Sequence, residues 1–346
     1  MIDVLRELSE AVGVSGEEGE VRALILKHIR GHVDDIRFDT LGSVIAFKHG
    51  TGAVRMRVMA AAHMDEVGMM VMGFDSDGMI RFSAVGGLDA RILPGARVLV
   101  GPDKVPGVIA WPPIHLNKDQ DAVPIDRLRI DIGVANREAA QKTVSRGDRI
   151  AFASSFEELG PTVRGKAFDD RAGCASLIRL VQGERFPFDL YAVFTVQEEV
   201  GLRGARAAAG RVQPDVAFVL ETTACHDLPQ DPDEPDQTTI TRLGGGPAIT
   251  VADRSMVSDP RLVRHLVRVG EQAGIPHQFR SPQHAGGTDA GAIHKTGAGV
   301  PSVVVATPCR YIHGPYAIMN VTDWENQAAL LRAAWEALDE STLSRI

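Results

Sequence analysis

His63-Met64-Asp65-Glu66 follows the apolar run 58–62, Gln197-Glu198-Glu199 follows 190–196, and Glu221-Thr222-Thr223 follows 216–220. Tyr311-Ile312-His313-Gly314-Pro315 lies beyond the run 302–306, and Phe168-Asp169-Asp170 precedes a helix expected from Arg171. Taken singly, each has an ordinary explanation. His63 can be a packed histidine, Asp169 and Asp170 can cap a helix, and Glu198 and Glu199 can be a solvated charge pair. Together they are harder to dismiss. Like charges gathered at one sheet edge repel, and burying carboxylates is expensive without a cation. A bound pair of divalent metals removes both penalties. Mixed imidazole and carboxylate ligands suit Zn²⁺, Co²⁺ or Mn²⁺, whereas all-oxygen sites favour Mg²⁺ or Ca²⁺. Two metals need at least one bridging carboxylate and a bridging water.

These groups need a scaffold that brings distant segments together. From Gly165 onward, apolar runs alternate with helical patterns. Residues 190–196 are nearly all apolar, as expected of a strand buried on both faces, and 216–220 and 302–306 read the same way. Helices are expected over 171–181, 202–209, 260–273 and 323–338, the last with Asp323 as N-cap. The alternation predicts an α/β fold with a mainly parallel, doubly wound sheet. In such sheets functional groups collect just past the C-terminal strand ends.

Upstream, Ile2, Leu5 and Leu8 recur at helical spacing, and Gly13 ends the pattern. Ser15 followed by Glu18 reads as a capping box for a second helix, with Val21, Leu24, Ile25 and His28 on one face. His28 there is expected to be packed or half-exposed rather than a ligand. Strands are expected at 43–47 and 57–62, and Asp75-Ser76-Asp77-Gly78 signals a hairpin turn between 67–74 and 79–85. From about 86 to 160, Gly and Pro are frequent and the apolar segments are short, with one helical turn near 136–143. This predicts a small barrel-like β domain inserted into a larger one, residues 67–160 between 1–66 and 161–346. His115, in that insert, reads as a lid or surface residue. Residues 226–237 (HDLPQDPDEPDQ) read as an acidic, proline-rich surface loop.

Five motifs occur in order: His63-Met64-Asp65-Glu66-Val67-Gly68, Gly165-Lys166-Ala167-Phe168-Asp169-Asp170-Arg171, Gln197-Glu198-Glu199-Val200-Gly201, Gly286-Gly287-Thr288-Asp289-Ala290 and Arg310-Tyr311-Ile312-His313. Over nearly the whole chain this series resembles the M42 family of dinuclear metallo-aminopeptidases, which includes the tetrahedral TET enzymes. The resemblance implies a metalloprotease that hydrolyses N-terminal residues from peptides through a metal-bridging water and a Glu general base. It implies two divalent metal ions per subunit, Zn²⁺ or Co²⁺ first and Mn²⁺ next. It assigns His63 and Glu221 to one metal, Asp169 as the bridge, and Glu199 and His313 to the other. Many family members have Asp where Glu221 stands. Glu198 becomes the base, and Asp65 the acceptor of a hydrogen bond from the His63 ring. Residues 67–160 fall where the family carries its dimerisation domain. Peptide substrates and a homo-oligomer, a dodecamer built from dimers or a smaller state, follow from the same likeness.

The chemistry is consistent with that division. Metal ions lower the pKa of bound water from 15.7 towards about 7 and polarise the scissile carbonyl. A carboxylate that is not a ligand can take the water proton and pass it to the leaving amine. Adjacent residues on a strand point apart, so Glu198 and Glu199 can serve one site only where the strand end is irregular. Gly286-Gly287-Thr288-Asp289 has the glycine content of a close backbone approach and can line a substrate pocket or be an ordinary loop; no role is given to the flanking His284 and His294. An acidic N-terminal residue on the substrate would need a positive pocket, for which Arg254, Arg280 and Arg310 are candidates. The alternatives are a related dinuclear-metal carboxypeptidase or N-acyl amino acid deacylase, a metal-free glycosidase using Glu198, and a non-catalytic scaffold.

Composition narrows the field further. Lys+Arg 37 against Asp+Glu 45 leaves a net charge of −8, which disfavours a broad nucleic-acid surface. No apolar run approaches the length that spans a bilayer. Cys174, Cys225 and Cys309 are too few and too scattered for a disulfide framework, which suggests a reducing compartment and, with no spanning run, a cytoplasmic protein. Cys174 and Cys225 are read as small packed residues rather than nucleophiles.

Overall fold

A computed structural model of the chain describes residues 1–53, 56–111, 123–229, 233, 240–281 and 286–344. His115, His284 and most of the acidic stretch 226–237 lie outside the described residues.

Two sheets organise the described residues. The larger is an eleven-stranded mixed sheet. Its centre is parallel: Asp189–Thr195, Arg57–His63, Val216–Ala224 and Ser302–Arg310 run side by side in that order. The edges are antiparallel, with Asp35–Phe38 and Val44–Lys48 on one side and Ala317–Asn320, Thr162–Gly165 and Glu157–Leu159 on the other. Ala248–Thr250 also pairs antiparallel with Ser302–Arg310 and carries Gln278–Arg280 parallel beyond it. The doubly wound expectation therefore describes the centre. The edges are antiparallel additions, of which Asp35–Phe38 with Val44–Lys48 and Glu157–Leu159 with Thr162–Gly165 are hairpins that need no helical crossover.

Both faces of the centre are covered, and the nearly unbroken apolar run of Asp189–Thr195 follows from that. Leu190, Ala192 and Phe194 join one core, which also takes Leu5, Leu8, Ile25, Leu177, Leu262 and Trp335 from helices Ile2–Glu10, Gly19–Ile29, Phe168–Gln182, Pro260–Ala273 and Val321–Glu336. Val193 joins the opposite core beneath Ala205, Ala208 and Ile293 of helices Arg203–Val212 and Ala290–Ile293.

The second sheet closes into a barrel of Gly68–Phe74, Ile80–Val85, Ile130–Asp131, Val105–Ile109, Arg97–Val100 and Arg149–Phe152. Alternate residues such as Met69, Val71, Ile80, Phe82, Val98, Ile109 and Phe152 fill it. The first two strands are the hairpin that Asp75-Ser76-Asp77-Gly78 signals. Asn136 caps the short helix Arg137–Thr143 by accepting from Ala139 N at 3.0 Å.

Two caps differ from expectation. The helix expected from Asp323 starts at Val321, and Asn320 is its cap, accepting from Thr322 N at 2.8 Å. Asp323 instead accepts from Gly244 N at 2.7 Å and Gly246 N at 2.8 Å, tying down a distant loop. Ser15 and Glu18 form no capping box. The Ser15 hydroxyl donates to Asp65 at 2.6 Å, and Glu18 accepts from Gly16 N at 2.6 Å and Gln197 N at 3.2 Å. His28 pairs with Glu7 at 2.9 Å, half-buried as expected.

Candidate metal centre

The parallel strands end at a common edge. Arg57–His63 delivers His63, the segment after Asp189–Thr195 delivers Glu198 and Glu199, and Val216–Ala224 delivers Glu221. Asp169 and Asp170 open the helix Phe168–Gln182 above that edge, and their peptide is cis. His313 comes from the turn after Ser302–Arg310. His63, Asp169 and Glu199 offer ligand atoms within 4.8 Å of one another, and so do His63, Asp170 and Glu221.

Asp169 stands between the two imidazoles. Its Oδ1 is 2.9 Å from His63 Nε2, and its Oδ2 is 3.1 Å from His313 Nε2. Glu199 Oε1 lies 3.4 Å from His313 Nε2, and Glu221 Oε2 lies 3.7 Å from His63 Nε2. The far side of each ring is fixed by a carbonyl. His63 Nδ1 is 3.0 Å from Asp65 O, and His313 Nδ1 is 3.0 Å from Gly87 O. A carbonyl only accepts, so each Nδ1 carries the hydrogen and a neutral ring turns its Nε2 lone pair toward carboxylate oxygens. Lone pairs facing lone pairs are favourable only with a proton or a cation between them. Protein metal sites fix ligating imidazoles in this way.

Electrostatics point the same way. Burial pushes the carboxyls of Glu198, Glu221 and Asp170 well above the carboxylate range, and it raises Glu199 to about 8. Burial opposes charging of the imidazoles, yet the Glu221 charge and the Asp169 bond lift His63 well above its usual value. Burial is likewise outweighed at His313, where Asp169 and Glu199 lift the ring to about 9. Asp169 goes the other way from these four carboxyls: the bonds from His313 and His63 overcome its burial and lower it. Without a cation the cluster must hold protons to exist, and a divalent ion reverses that logic. Glu199 Oε1, buried with no hydrogen-bond partner among the described residues, is a further oxygen donor that suits a cation. The donor set fits a metal.

The expected bond from the His63 ring to the Asp65 carboxylate is replaced. The ring bonds the main-chain carbonyl of Asp65, and the nearest carboxylate oxygen is 3.6 Å away. That carboxylate accepts instead from Glu198 N at 2.9 Å, Glu199 N at 3.2 Å and Ser15 Oγ at 2.6 Å. It positions both glutamates. Gln197, in the left-handed region at φ 55°, supplies the strand-end irregularity that lets both serve one site.

Asp170, read from the sequence as a helix cap and given no part in the metal site, accepts from His63 N at 3.2 Å and Gly173 N at 2.9 Å. A Cβ at Gly173 would lie 2.3 Å from Asp170 Oδ1, so only glycine allows this approach. Behind the cluster sits a buried ion network that spacing did not reveal. Lys166 Nζ bonds both Glu66 oxygens, at 2.7 and 2.8 Å, and Ala11 O at 2.7 Å. Arg171 bonds Glu66 at 3.3 Å, Met64 O at 2.8 Å and Leu8 O at 2.6 Å. The network ties the His63 and Asp169 segments to the first helix.

A cavity of about 490 Å³ opens onto the cluster, and Gly286, Gly287 and Thr288 form part of its wall. Asp289 turns inward to the Thr195 hydroxyl, and burial raises its carboxyl to about 6. His294 bonds Ala290 O of its own helix at 2.8 Å. Cys174 donates to His63 O at 3.1 Å; burial holds its thiol well above the usual range and pushes Cys225 up to about 12, so neither is an activated nucleophile. A larger opening of about 690 Å³ lies against the barrel strands Arg97–Val100 and Val105–Ile109, away from these ligands.

The sequence profile of the M42 glutamyl aminopeptidase family matches residues 42–330. A candidate aminopeptidase of Acetivibrio thermocellus is 39% identical over 96% of this chain and 97% of its own length. The glutamyl aminopeptidase of Lactococcus lactis is 30% identical over 100% and 99%. The TET aminopeptidase of Thaumarchaeota archaeon SCGC AB-539-E09 superposes with a TM-score of 0.93 at 36% identity, covering 99% of this chain and 98% of that one. The Pyrococcus horikoshii TET1 peptidase, described as assembling into a tetrahedron or a large octahedral shell, superposes at 0.86 with 31% identity over 97% and 99%.

Proposed function

This chain belongs to the M42 family of metal-dependent aminopeptidases, and on that premise we propose that the cluster around Asp169 is where it removes N-terminal residues from peptides. The observation that carries the assignment is Asp169 itself, one oxygen turned to each of two imidazoles whose other nitrogens are locked on carbonyls. His63, Asp169 and Glu221 would hold one divalent cation, and Asp169, Glu199 and His313 a second. Zn²⁺ or Co²⁺ suits these nitrogen and oxygen donors first, and Mn²⁺ next. When bound, such ions supply Lewis-acid polarisation of the scissile carbonyl and acidify water.

The chain's own groups do the rest. Glu198 Oε2 lies 4.0 Å from His63 Nε2, inside the cavity and beside the ligands. It accepts a proton from the attacking water on a carboxylate oxygen. It then delivers that proton to the amine nitrogen as the peptide C–N bond breaks. Asp65 holds Glu198 and Glu199 by their main-chain N–H groups, and the ring of carboxylates favours the substrate's α-ammonium.

Residues 1–66 and 161–346 form the catalytic part in this reading, with 67–160 as the dimerisation or lid insert. The likeness to an assembling P. horikoshii peptidase supports a homo-oligomer. Among the described residues no helix is long and apolar enough to cross a membrane, and a cytoplasmic setting is part of the proposal. The test is a panel of aminoacyl p-nitroanilides and their N-acetylated counterparts, run on metal-reconstituted and chelator-treated protein. Hydrolysis of free-amine substrates only, lost with chelator and restored by Zn²⁺ or Co²⁺, is expected. Cleavage of the acetylated set, or chelator-resistant turnover, overturns the reading.

A further inference from the structure

Ser15 and Glu18, whose spacing suggests a helix cap, turn elsewhere. Glu18 is 3% exposed and makes no cap bond to the helix Gly19–Ile29. Its Oε1 accepts instead from Gly16 N at 2.6 Å and from the distant Gln197 N at 3.2 Å. The next two N–H groups go to Asp65, Glu198 N to Oδ1 at 2.9 Å and Glu199 N to Oδ2 at 3.2 Å, and Ser15 Oγ donates to that same Oδ2 at 2.6 Å. Successive main-chain donors from 197 to 199 thus end on two buried carboxylates. The carbonyls of the segment are held from the other side. Glu198 O accepts from Gly201 N and Leu202 N, both at 2.9 Å, and Gln197 O accepts from Arg203 N at 3.2 Å.

The arrangement is costly. Burial and, less strongly, the Asp65 charge push the Glu18 carboxyl above its usual range, against the pull of the Gly16 N–H. Among the described residues no lysine or arginine pairs with it. An acid placed only to cap a helix would cost less at the surface. The cost falls where the backbone needs support. Gln197 lies beyond the strand Asp189–Thr195, so its N–H has no ladder partner, and it stands in the left-handed region at φ 55°. A non-glycine residue persists there only when its surroundings hold it. The supports are themselves anchored. Gly13 N donates to Glu66 Oε1 at 3.1 Å, Gly13 O accepts from Glu66 N at 3.0 Å, and Arg149 Nε of the barrel donates to Ser15 O at 3.1 Å. Residues 13–18 are therefore gripped by the buried ion network on one side and by the barrel on the other.

We infer that Glu18 is a positioning residue for the reaction: by holding the Gln197 N–H it fixes the direction in which Glu198 leaves the strand, and with Ser15 and Asp65 it forms one clamp on the base. This rests on the aminopeptidase reading above. Glu198 must meet both the attacking water and the leaving nitrogen, and a misplacement of about 1 Å in such a group costs roughly a hundredfold in rate. Asp65 holds the N–H groups of 198 and 199 and leaves the turn before them unsupported. Glu18 supplies that support. What the Gln197 N–H requires is an acceptor oxygen at the right reach, and a charge is not needed for it.

The test measures kcat, KM and metal content for metal-reconstituted wild type, Glu18→Gln, Glu18→Asp and Glu18→Leu, each with and without Glu198→Gln. The substrate is the aminoacyl p-nitroanilide that wild type splits fastest. Glu18→Gln keeps an acceptor oxygen at the same reach and should retain most of kcat. Glu18→Asp keeps the charge but is one methylene short, and Glu18→Leu removes the acceptor. Both should lower kcat about ten- to hundredfold, with KM and metal content unchanged. In the Glu198→Gln background the same changes should have little further effect, because the group they displace no longer acts as a base. Glu18→Asp carries the test if Glu18→Leu does not fold. Normal kcat in Glu18→Asp overturns the inference while the aminopeptidase reading stands. So does a loss in Glu18→Gln as large as in Glu18→Asp, or a loss of equal size with and without Glu198→Gln, which would mark Glu18 as a packing residue. A wild type that splits none of the p-nitroanilides overturns the aminopeptidase reading, and the clamp on its base falls with it.

Discussion

Glu66→Gln is the most informative perturbation of the scaffold. Glu66, Lys166 and Arg171 are 2%, 1% and 0% exposed, so no solvent can replace the missing charge. In wild type one carboxylate is shared by two cations. The glutamine keeps the shape but leaves two buried positive groups facing a neutral amide. Breaking a buried pair by removing one partner costs about 3–5 kcal/mol, a large share of the ~5–15 kcal/mol that holds a typical protein folded. The carbonyl bonds of Lys166 and Arg171 survive, which keeps the cost near that range. Burial already depresses the Lys166 ammonium from its usual 10.5, against the pull of Glu66. Losing Glu66 depresses it further.

The sign of the pH effect follows. With the folded-state pKa below 10.5, the unfolded chain binds more protons in the window between the two values, so this contribution to stability rises with pH there. Because the window is wider in the variant, its deficit against wild type should shrink as pH rises toward 10. The assay is urea unfolding of metal-saturated wild type and variant at several pH values, followed by circular dichroism and tryptophan fluorescence. A deficit below about 1 kcal/mol at neutral pH, or one that grows toward alkaline pH, refutes the buried-charge argument. The Glu66→Met/Lys166→Met double variant should be less destabilised than the sum of its single variants, because the two residues share one interaction.

Glu198→Gln should cut kcat by about 10²–10⁴-fold, the range for lost general acid–base catalysis, while both metals stay bound by elemental analysis; near-normal turnover would remove Glu198 from that role. His313→Ala should lose one metal of the pair selectively, read as stoichiometry on titration with Co²⁺, and unchanged stoichiometry and affinity would strike it from the ligand set. Asp65→Ala frees the main chain of Glu198 and Glu199 and should lower kcat about 10–100-fold with the His63 ring still bonded to a carbonyl. If metal affinity collapsed instead with kcat intact, Asp65 would be acting on the ring and not on the glutamates.

Much of the architecture is legible in one dimension because it depends on repeating patterns. The unbroken apolar run at 190–196 is a strand covered on both faces, and the short segments between 86 and 160 build the barrel. The antiparallel sheet edges were less visible, since strand direction leaves no mark on a short apolar run. The histidines and carboxylates at strand ends do come together, because strand ends are where parallel topology gathers side chains.

The amino-acid order by itself determined which donor types are present, their succession along the chain, and the alternation that carries them to one edge. It also determined family membership through five short motifs. Only the tertiary structure decided how each polar side chain is used. Ser15 leaves a helix cap to support Asp65, Asp323 leaves another to hold Gly244 and Gly246, and the Asp65 carboxylate takes two glutamate N–H groups instead of an imidazole. Glu66 gathers Lys166 and Arg171 from about a hundred positions away. The physical reason is competition. A short polar side chain can bond a neighbour in sequence or a stranger in space with similar energy. Which one wins depends on directions and distances that exist only once the strands, helices and barrel are packed.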